Sequence, residues 1–280
     1  TDMAPATVQR YETSLKHTRD FVWETYHKKD VLLDEVSRQF IEDYEFWLKT
    51  EKKCCHNTAT KYLKNFKKIT RIALAKGWMK NDPFLEIRFS LDKVEPDFLE
   101  DSEIQKLISK EIDIPRLSQV RDIFVFCCFT GLAFSDIHGL RKEHIVEDSN
   151  GVRWIRKGRQ KTKIMCNIPL IEIPLKILEK YSTNEYCKKH GVLFPVLCNQ
   201  KMNAYLKELA DICGIKKTLT THVGRHTFAT FALANGVSIE SVAKMLGHTN
   251  VQMTRHYARV LDRTVIREMS QIKMDLHFSM

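Results

Sequence analysis

Four side chains near the carboxyl end of the chain have the chemical types that phosphoryl transfer requires. His222 and Arg225 are three positions apart, and His248 follows a Leu-Gly pair. Tyr257 comes nine positions after His248. Arginine holds a phosphate through paired hydrogen bonds, histidine moves protons near neutral pH, and a tyrosine phenol can attack phosphorus. The alternative is that Tyr257 is an ordinary core aromatic, the commoner role of a tyrosine on a helix.

A predicted helix places the first two of these side chains at an anion-binding position. Apolar positions and the terminal Gly236 predict a helix that starts near Gly224, with His222 and Arg225 at its first turn. Backbone N–H groups and the helix dipole favour an anion at such a turn.

Two shorter helices are predicted after it. The first covers residues 238–246 and ends at Gly247, so that His248 follows at once. The second begins near Asn250 and carries Tyr257. His248 could alternatively serve only as a cation at the end of its helix. Three helical segments would thus bring all four side chains to one point.

Metal binding is the main rival function for the histidines of the first helix. His222 and His226 are four positions apart, as in the zinc-binding pattern HExxH. Val223 replaces the glutamate of that pattern, and Arg225 would repel a dication. We therefore predict that the site uses neither a metal nor another cofactor.

A strongly basic helix is predicted in the first third of the chain. Residues 6–26, 35–51 and 57–77 each have apolar positions at helical spacing. The net charge is +10, which indicates a polyanionic partner, although runs of charge also occur as solvated surface. On the third segment, four cations share one face and are the predicted contacts to that partner: Lys61, Lys64, Lys68 and Arg71.

The overall pattern predicts a mainly α-helical protein with a small antiparallel β-sheet. Residues 81–99 contain two prolines and no sustained periodicity, so we interpret them as a linker. They would join a helical domain, residues 1–80, to a larger and mostly helical domain, residues 100–280. Two alternating runs, Val152–Ile155 and Ile164–Ile168, predict the sheet in the larger domain.

Bulk composition argues against several classes of protein. No apolar run approaches the roughly 20 residues of a membrane helix, and the first residues lack the apolar segment of a signal peptide. Eight cysteines are present without a CxxC pair, which favours a reducing cytoplasm over a disulfide framework. The sequence begins at Thr1 rather than at a methionine, as a fragment of a longer protein would.

The order and spacing of these motifs resemble the C-terminal signature of the tyrosine recombinases, the phage-integrase family. The signature reads HxxR at 222–225, LGH at 246–248 and TxxYA at 254–258. Upstream, residues 130–136 resemble the family's TGLRxSE box, and Lys161 matches the lysine of its β-hairpin. The basic helical domain resembles the family's core-binding domain, so the resemblance covers nearly the whole chain.

This resemblance implies a site-specific DNA recombinase that cuts and rejoins strands without metal or ATP. Tyr257 would form a 3′-phosphotyrosyl link, and nearby positive charge should favour its phenolate. Arg225 would clamp the phosphate oxygens. His222 would take a proton or hold the phosphate, and His248 would form a hydrogen bond to a phosphate oxygen.

The resemblance also implies a general acid on the hairpin. Lys161 would protonate the leaving 5′-oxygen, although Lys157 and Lys163 lie on the same hairpin and stay open as alternatives. The basic helix of the first domain would contact double-stranded DNA.

One position departs from the family pattern. Ala133 stands where the family has its first catalytic arginine, and alanine cannot hold a phosphate. We predict that Arg121, on the preceding helix, takes that role, provided that the chain bends at Gly131; otherwise Arg121 is a surface arginine. The same departure occurs in integrases of Bacteroidetes mobile elements, which this chain resembles. Weaker candidates for the missing arginine are Arg116, Arg141 and Arg159.

Partners and location follow from the same resemblance. The expected partner is double-stranded DNA with attachment sites, bound by a homo-tetramer in the bacterial cytoplasm, at the nucleoid. Residues 262–280 have apolar positions at helical spacing, and this helix would pack on its own domain or exchange onto a neighbouring subunit. Two alternatives stay open: a DNA-binding protein made inactive by Ala133, and a type IB topoisomerase. A metal-dependent hydrolase is a more distant third.

Overall fold

Two compact units make up the chain, Thr1–Glu95 and Pro96–Met280. The computed structural model describes residues 3–257 and 269–270. The C-terminal helix predicted within residues 262–280 therefore lies outside the described residues, apart from positions 269 and 270.

The amino-terminal unit is a helical bundle with an aromatic core. The Phe21 ring centroid lies 5.1 Å from that of Phe40 and 4.9 Å from that of Tyr44, so the helices meet through their aromatic faces. Its described helices are α1 Pro5–Tyr26, the 3-10 turn Leu33–Glu35, α2 Arg38–Thr50 and α3 His56–Ala75.

Part of the segment predicted as a linker packs against this unit. Described residues between α3 and Glu95 form neither helix nor strand, in keeping with Pro83 and their mixed polarity. Phe84 is nevertheless fully buried in the aromatic core. The Asn57 side chain forms two hydrogen bonds to the Asp92 backbone, at 2.9 and 2.8 Å. These contacts attach the segment to the start of α3.

The carboxyl-terminal unit is built around a helix that is buried on all sides. This helix, α5, carries an uninterrupted apolar run from Ile123 to Phe129, and a helix without a polar face has to be enclosed. Helices α7, α9 and α10 enclose it. The described helices of the unit are α4 Asp101–Ser109, α5 Pro115–Thr130, α6 Phe134–His138, the 3-10 turn Lys142–His144, α7 Glu172–Tyr181, α8 Glu185–His190, α9 Asn199–Ile212, α10 Thr221–Ala234, α11 Ile239–Leu246 and α12 Gln252–Arg255.

An antiparallel sheet flanks these helices. Its strands are β1 Ile145–Glu147, β2 Arg153–Gly158 and β3 Met165–Pro169, in that order across the sheet. Ile155 and Ile168 are opposite each other and both are buried, which sets the face that packs on the core. The tight connection between β2 and β3 projects toward α11.

The observed architecture confirms the predicted fold class, mainly α with a small antiparallel sheet. Three local details differ from the prediction. Strand β1 was not predicted, because only three residues alternate. Helix α10 begins at Thr221 rather than near Gly224, and α12 ends at Arg255, so that Tyr257 lies in the turn that follows it. Among the described residues, no helix combines the length and the apolar character needed to cross a bilayer.

Candidate active site

Arg225 is the structural centre of the candidate site. Its side chain is 2% exposed, although arginine is seldom buried without partners. One terminal nitrogen, Nη1, donates to the Gly131 carbonyl at 2.7 Å, and Nη2 donates to the Leu246 carbonyl at 2.7 Å. These two bonds join the end of α5, the start of α10 and the end of α11 around one guanidinium.

Gly131 allows that approach. It ends α5 in the left-handed region, with φ of 67°, so the chain bends there, which is the condition that the Arg121 prediction required. A Cβ atom on this residue would lie 2.4 Å from Phe228 Cδ1 and 2.8 Å from Leu246 Cδ2. Only glycine fits between α10 and α11 at this point.

His248 is held in one tautomer by partners on both sides of its ring. Its Nε2 lies 3.0 Å from Arg225 Nη2, and its Nδ1 lies 2.8 Å from Thr254 Oγ1. Because a guanidinium only donates, Nε2 accepts, and the ring proton is on Nδ1, which donates to Thr254. Burial and the charges of Arg225 and Arg159 lower the pKa of His248 to about 4, so the ring is neutral at pH 7.

Tyr257 lies against the same cluster. Its ring is 8% exposed and nearly parallel to that of His248, with centroids 6.2 Å apart. Its backbone N–H donates to the Thr254 carbonyl at 2.9 Å, which fixes the turn after α12. Burial raises the pKa of Tyr257, whereas the charges of Arg225 and Arg159 lower it. The expectation of a favoured phenolate is therefore corrected, because burial outweighs the positive charge and the phenol keeps its proton.

His222 lies at the first turn of α10, as predicted, close to the other site residues. Its ring is 4.3 Å from that of His226, which is in turn 5.1 Å from the Tyr257 ring. Burial, followed by the charge of Arg225, lowers the pKa of His222. A neutral imidazole thus stands one ring away from the phenol.

The hairpin between β2 and β3 brings Lys161 to the edge of the cluster. The residues on either side of this exposed lysine are anchored: the Gln160 N–H donates to Asp136 Oδ1 at 2.9 Å, and the Thr162 hydroxyl donates to the Gly247 carbonyl at 3.2 Å. The Lys161 charge contributes to the lowered pKa of His222.

The two alternative lysines on the hairpin have different surroundings. Lys157 donates to the Gly139 carbonyl at 3.0 Å and lies 3.4 Å from His144 Nε2, so its ammonium is held by the end of α6 and the 3-10 turn that follows. Lys163 adopts a left-handed φ of 61° in the turn.

The structure does not bring Arg121 to this cluster. Its guanidinium donates to Asp122 Oδ1 and to the Lys110 carbonyl, at 3.1 and 2.7 Å. A third contact goes to Ser118 Oγ at 3.4 Å. Arg121 thus links α5 to the end of α4, and its donors are taken up by the protein.

A different arginine, Arg159, lies in the cluster, and sequence reasoning ranked it too low. Its side chain is 11% exposed, and its Nε is 3.8 Å from Asp136 Oδ2. The only local signal was its place on the hairpin, two positions before Lys161. Its pairing with an acid 23 positions upstream becomes visible only in the fold.

The chemistry of the site is that of an anion receptor. Two guanidiniums and one ammonium surround two neutral imidazoles and a protonated phenol. Within the described part of the chain, no group of three or more potential metal ligands occurs. Such an arrangement can stabilise negative charge on a phosphate through preorganised donors.

Two family models match most of the chain, one in each unit. Residues 1–91 match the phage integrase SAM-like domain, and residues 97–264 match the phage integrase family. A tyrosine recombinase of Pseudothermotoga lettingae is 30% identical over 244 residues, 84% of this chain and 82% of that protein. The XerD tyrosine recombinase of Shewanella oneidensis is 24% identical over 95% of this chain and 89% of its own length.

Solved structures share the fold. A lambda integrase dimer bound to a core site covers 99% of this chain and 94% of its own, with a TM-score of 0.74 and 16% identity. The Tn1549 transposon integrase in complex with circular intermediate DNA covers 96% and 94%, with a TM-score of 0.75 and 19% identity. XerH bound to its palindromic difH substrate covers 95% and 80%, with a TM-score of 0.75 and 14% identity.

The chain therefore belongs to the phage integrase family, and it is a tyrosine recombinase. This confirms the class of enzyme that the motif spacing predicted.

Proposed function

We propose that the chain cuts and rejoins double-stranded DNA at specific sites through a covalent link between Tyr257 and a 3′-phosphate. The observation that supports this most directly is the convergence of Tyr257, His248 and Arg225 in one buried, positively charged cluster. The lambda integrase, the Tn1549 integrase and XerH, which share the fold, were each solved with DNA bound.

In the proposed cleavage step, Tyr257 Oη attacks phosphorus, and the bond from phosphorus to the 5′-oxygen breaks. His222 accepts the phenolic proton, which its lowered pKa leaves it free to do at pH 7. Lys161 gives a proton to the leaving 5′-oxygen. Attack by the 5′-hydroxyl of another strand reverses these transfers, so the phosphodiester is remade without ATP.

Arg225 and His248 hold the phosphate during this step. Arg225 is preorganised by two backbone carbonyls, so little reorientation is needed when a phosphate enters. The anionic phosphate would raise the pKa of His248 and convert Nε2 into a donor toward a phosphate oxygen.

The basic face of α3 supplies part of the DNA affinity. Its four cations, Lys61, Lys64, Lys68 and Arg71, are all exposed. Each lysine that neutralises one phosphate should contribute about one to the slope of log affinity against log salt. Alanine at Lys64 or Lys68 should lower that slope, whereas alanine at exposed Lys29 should leave it unchanged.

The roles of the two domains, the type of element and the assembly on DNA are part of the same proposal. The domain roles are those predicted: residues 1–80 bind core DNA, 81–99 connect, and 100–280 catalyse. Ala133 in the TGL box favours an integrase of a mobile element of the Bacteroidetes type. We propose a homo-tetramer on attachment sites in the bacterial cytoplasm, with the C-terminal helix exchanged between subunits.

A suicide-substrate assay tests the catalytic proposal. A series of duplexes covers the DNA that flanks the gene, and each duplex has a nick close to a different candidate cleavage position. The duplexes are incubated with the full chain in the presence of EDTA. The proposal predicts a covalent adduct that maps to one position, and its loss in Tyr257→Phe. An adduct that persists in Tyr257→Phe would refute it.

Two other functions are separated by the same reagents. An inactive DNA-binding protein, the alternative that Ala133 suggests, would bind the duplex sequence-specifically in a gel-shift assay but would form no covalent adduct. A type IB topoisomerase would relax plasmids that carry no attachment site.

A further inference from the structure

Of the two arginines in the cluster, Arg225 alone matches an arginine of the family's motifs. A phosphate under attack carries charge on both nonbridging oxygens, and a single guanidinium buried between two carbonyls cannot surround both. Ala133, which stands where the family has its first catalytic arginine, has no donor for this role. The missing donor must therefore come from another element of the fold.

Arg159 reaches the turn that Ala133 begins. Ala133 is the N-cap of α6, and its carbonyl accepts the Asp136 N–H at 2.9 Å. The carboxylate of this same Asp136 faces Arg159, with Nε 3.8 Å from Oδ2. Arg159 thus comes from the hairpin to the helical turn from which the family's arginine would project.

The other side of Arg159 faces the residue before His248. A Cβ atom on Gly247 would lie 3.4 Å from Arg159 Cδ. Arg225 bonds the neighbouring Leu246 carbonyl. The two arginines therefore both contact one short segment, Leu246 to His248, which carries one of the site histidines.

The contact between Arg159 and Asp136 leaves hydrogen-bonding capacity unused. Its 3.8 Å separation is too long for a hydrogen bond. Within the described residues, neither Arg159 Nε nor Asp136 Oδ2 has a hydrogen-bond partner, although both atoms are buried. Buried polar atoms without partners are rare, and an unused guanidinium N–H at a functional site indicates an anionic ligand that accepts from it. The carboxylate, itself an acceptor, holds Arg159 by charge.

Electrostatics place the Arg159 charge at the reacting groups. Burial is the main cause of the lowered pKa of His222, of His248 and of Arg225, the last to about 10, and the Arg159 charge acts in the same direction on all three. The same charge opposes the rise that burial causes in the pKa of Tyr257. Two guanidiniums this close and this buried disfavour each other, and an anion between them would relieve that repulsion.

We propose that Arg159 is a catalytic residue of the recombinase, the second arginine of the phosphate clamp, which occupies from the β2–β3 hairpin the role that Ala133 leaves open. This rests on the proposed function, because the clamp has meaning only if Tyr257 attacks a phosphate. Asp136 acts as a positioning residue, since it holds Arg159 by charge without consuming its donors.

The test measures single-turnover adduct formation on the mapped suicide duplex. Arg159→Ala should cut the rate by roughly 100-fold or more, the effect of removing one preorganised donor from a charge-stabilising site. Arg159→Met keeps the volume without the charge and should show the same loss. Arg153→Ala, an exposed arginine on the same hairpin paired to Glu147, is the matched control and should cleave normally.

A second variant asks whether position 133 and Arg159 serve one phosphate. Ala133→Arg in the Arg159→Ala background should regain at least about 10-fold in rate. A neutral variant at 159 that melts like the parent and cleaves at the parent rate overturns the assignment. If Tyr257→Phe still forms the adduct, the proposed function itself has failed, and that outcome is distinct.

Discussion

Two buried aspartates of the carboxyl-terminal unit each lie beside an arginine, yet their surroundings differ. Both Asp122 oxygens are bonded: Oδ1 to Arg121, and Oδ2 to Lys180 at 2.6 Å and to the Tyr181 hydroxyl at 3.0 Å. Asp136 accepts one hydrogen bond, from the Gln160 N–H, and leaves Oδ2 without a partner among the described residues.

This difference separates a structural ion cluster from a functional one. A fully satisfied buried cluster stabilises the fold and has nothing left for a ligand. A cluster with an unused guanidinium N–H has poorer energetics alone, and that donor can serve an incoming phosphate. Asp136 Oδ2 is an acceptor, so it holds Arg159 by charge and forms no bond to the anion. Arg121 belongs to the first kind and Arg159 to the second, which is why adjacency to an acid alone could not identify the catalytic arginine.

The largest expected effect lies in the satisfied cluster. Asp122→Ala leaves the Arg121 guanidinium partly buried without its acid, and loss of one partner of a buried pair costs roughly 3 kcal/mol. The melting temperature should fall by roughly 6–12 °C, as such a loss does in a unit of this size. Calorimetry measures this, with Glu208→Ala, which breaks an exposed pair to Arg116, as control. An unchanged melting temperature for Asp122→Ala would contradict the distinction between the Asp122 cluster and the Asp136 cluster.

Asp136→Asn should have the reverse profile. The amide oxygen keeps the bond from the Gln160 N–H, so we expect a melting temperature close to the parent value. Loss of the charge lets Arg159 shift, and small misplacement of a catalytic group lowers rates, here by roughly 10-fold. Adduct formation measures the rate. A variant that melts much earlier but cleaves normally once folded would show that Asp136 is structural like Asp122.

A smaller effect is expected at Thr254, which orients His248 without touching the phosphate. Thr254→Val removes the acceptor of the His248 Nδ1–H, and the cleavage rate should fall by roughly 3- to 10-fold. Thr254→Ser keeps a hydroxyl and should restore the rate. If Thr254 contributed only packing through its methyl group, the valine variant, which keeps that methyl, would cleave at the parent rate, and the serine variant, which lacks it, would be the slow one.

The smallest expected effect concerns pH. The folded pKa of His248 is about 4, below the ordinary value of about 6.5. Between these values the unfolded chain binds the extra proton, so stability falls as pH decreases from about 6.5 toward 4 and is fully present above that window. His248→Gln should flatten part of this decline in melting curves. Equal slopes for parent and variant would contradict the assigned neutral ring.

Site residues whose positions depend on contacts close in sequence could be predicted, whereas those that depend on distant contacts could not. His222, Arg225, His248 and Tyr257 follow from motif spacing and helical periodicity, because short helices with glycine ends constrain where such side chains lie. The structure agrees in placing all four together, although Tyr257 lies after α12 rather than on it.

The second arginine was beyond that kind of reasoning. The Asp122 partners Lys180 and Tyr181 are nearly sixty positions away in the sequence. Together with Asp122 they form the ion cluster that holds Arg121. Arg159 meets Asp136 only because the hairpin folds back onto α6. Periodicity describes one element at a time and contains no information about such pairings. The neutral state of Tyr257 was missed for the same reason, since its burial depends on several helices at once.

The most direct test of the clamp uses a suicide duplex with a methylphosphonate at the scissile position. Replacing one nonbridging oxygen by a methyl group removes the charge that Arg159 is proposed to stabilise. We expect Arg159→Ala, slow by roughly 100-fold on the phosphate, to approach the parent rate on the methylphosphonate, whereas Tyr257→Phe stays inactive on both. An Arg159→Ala defect of the same size on both substrates would show that Arg159 does not act on that oxygen.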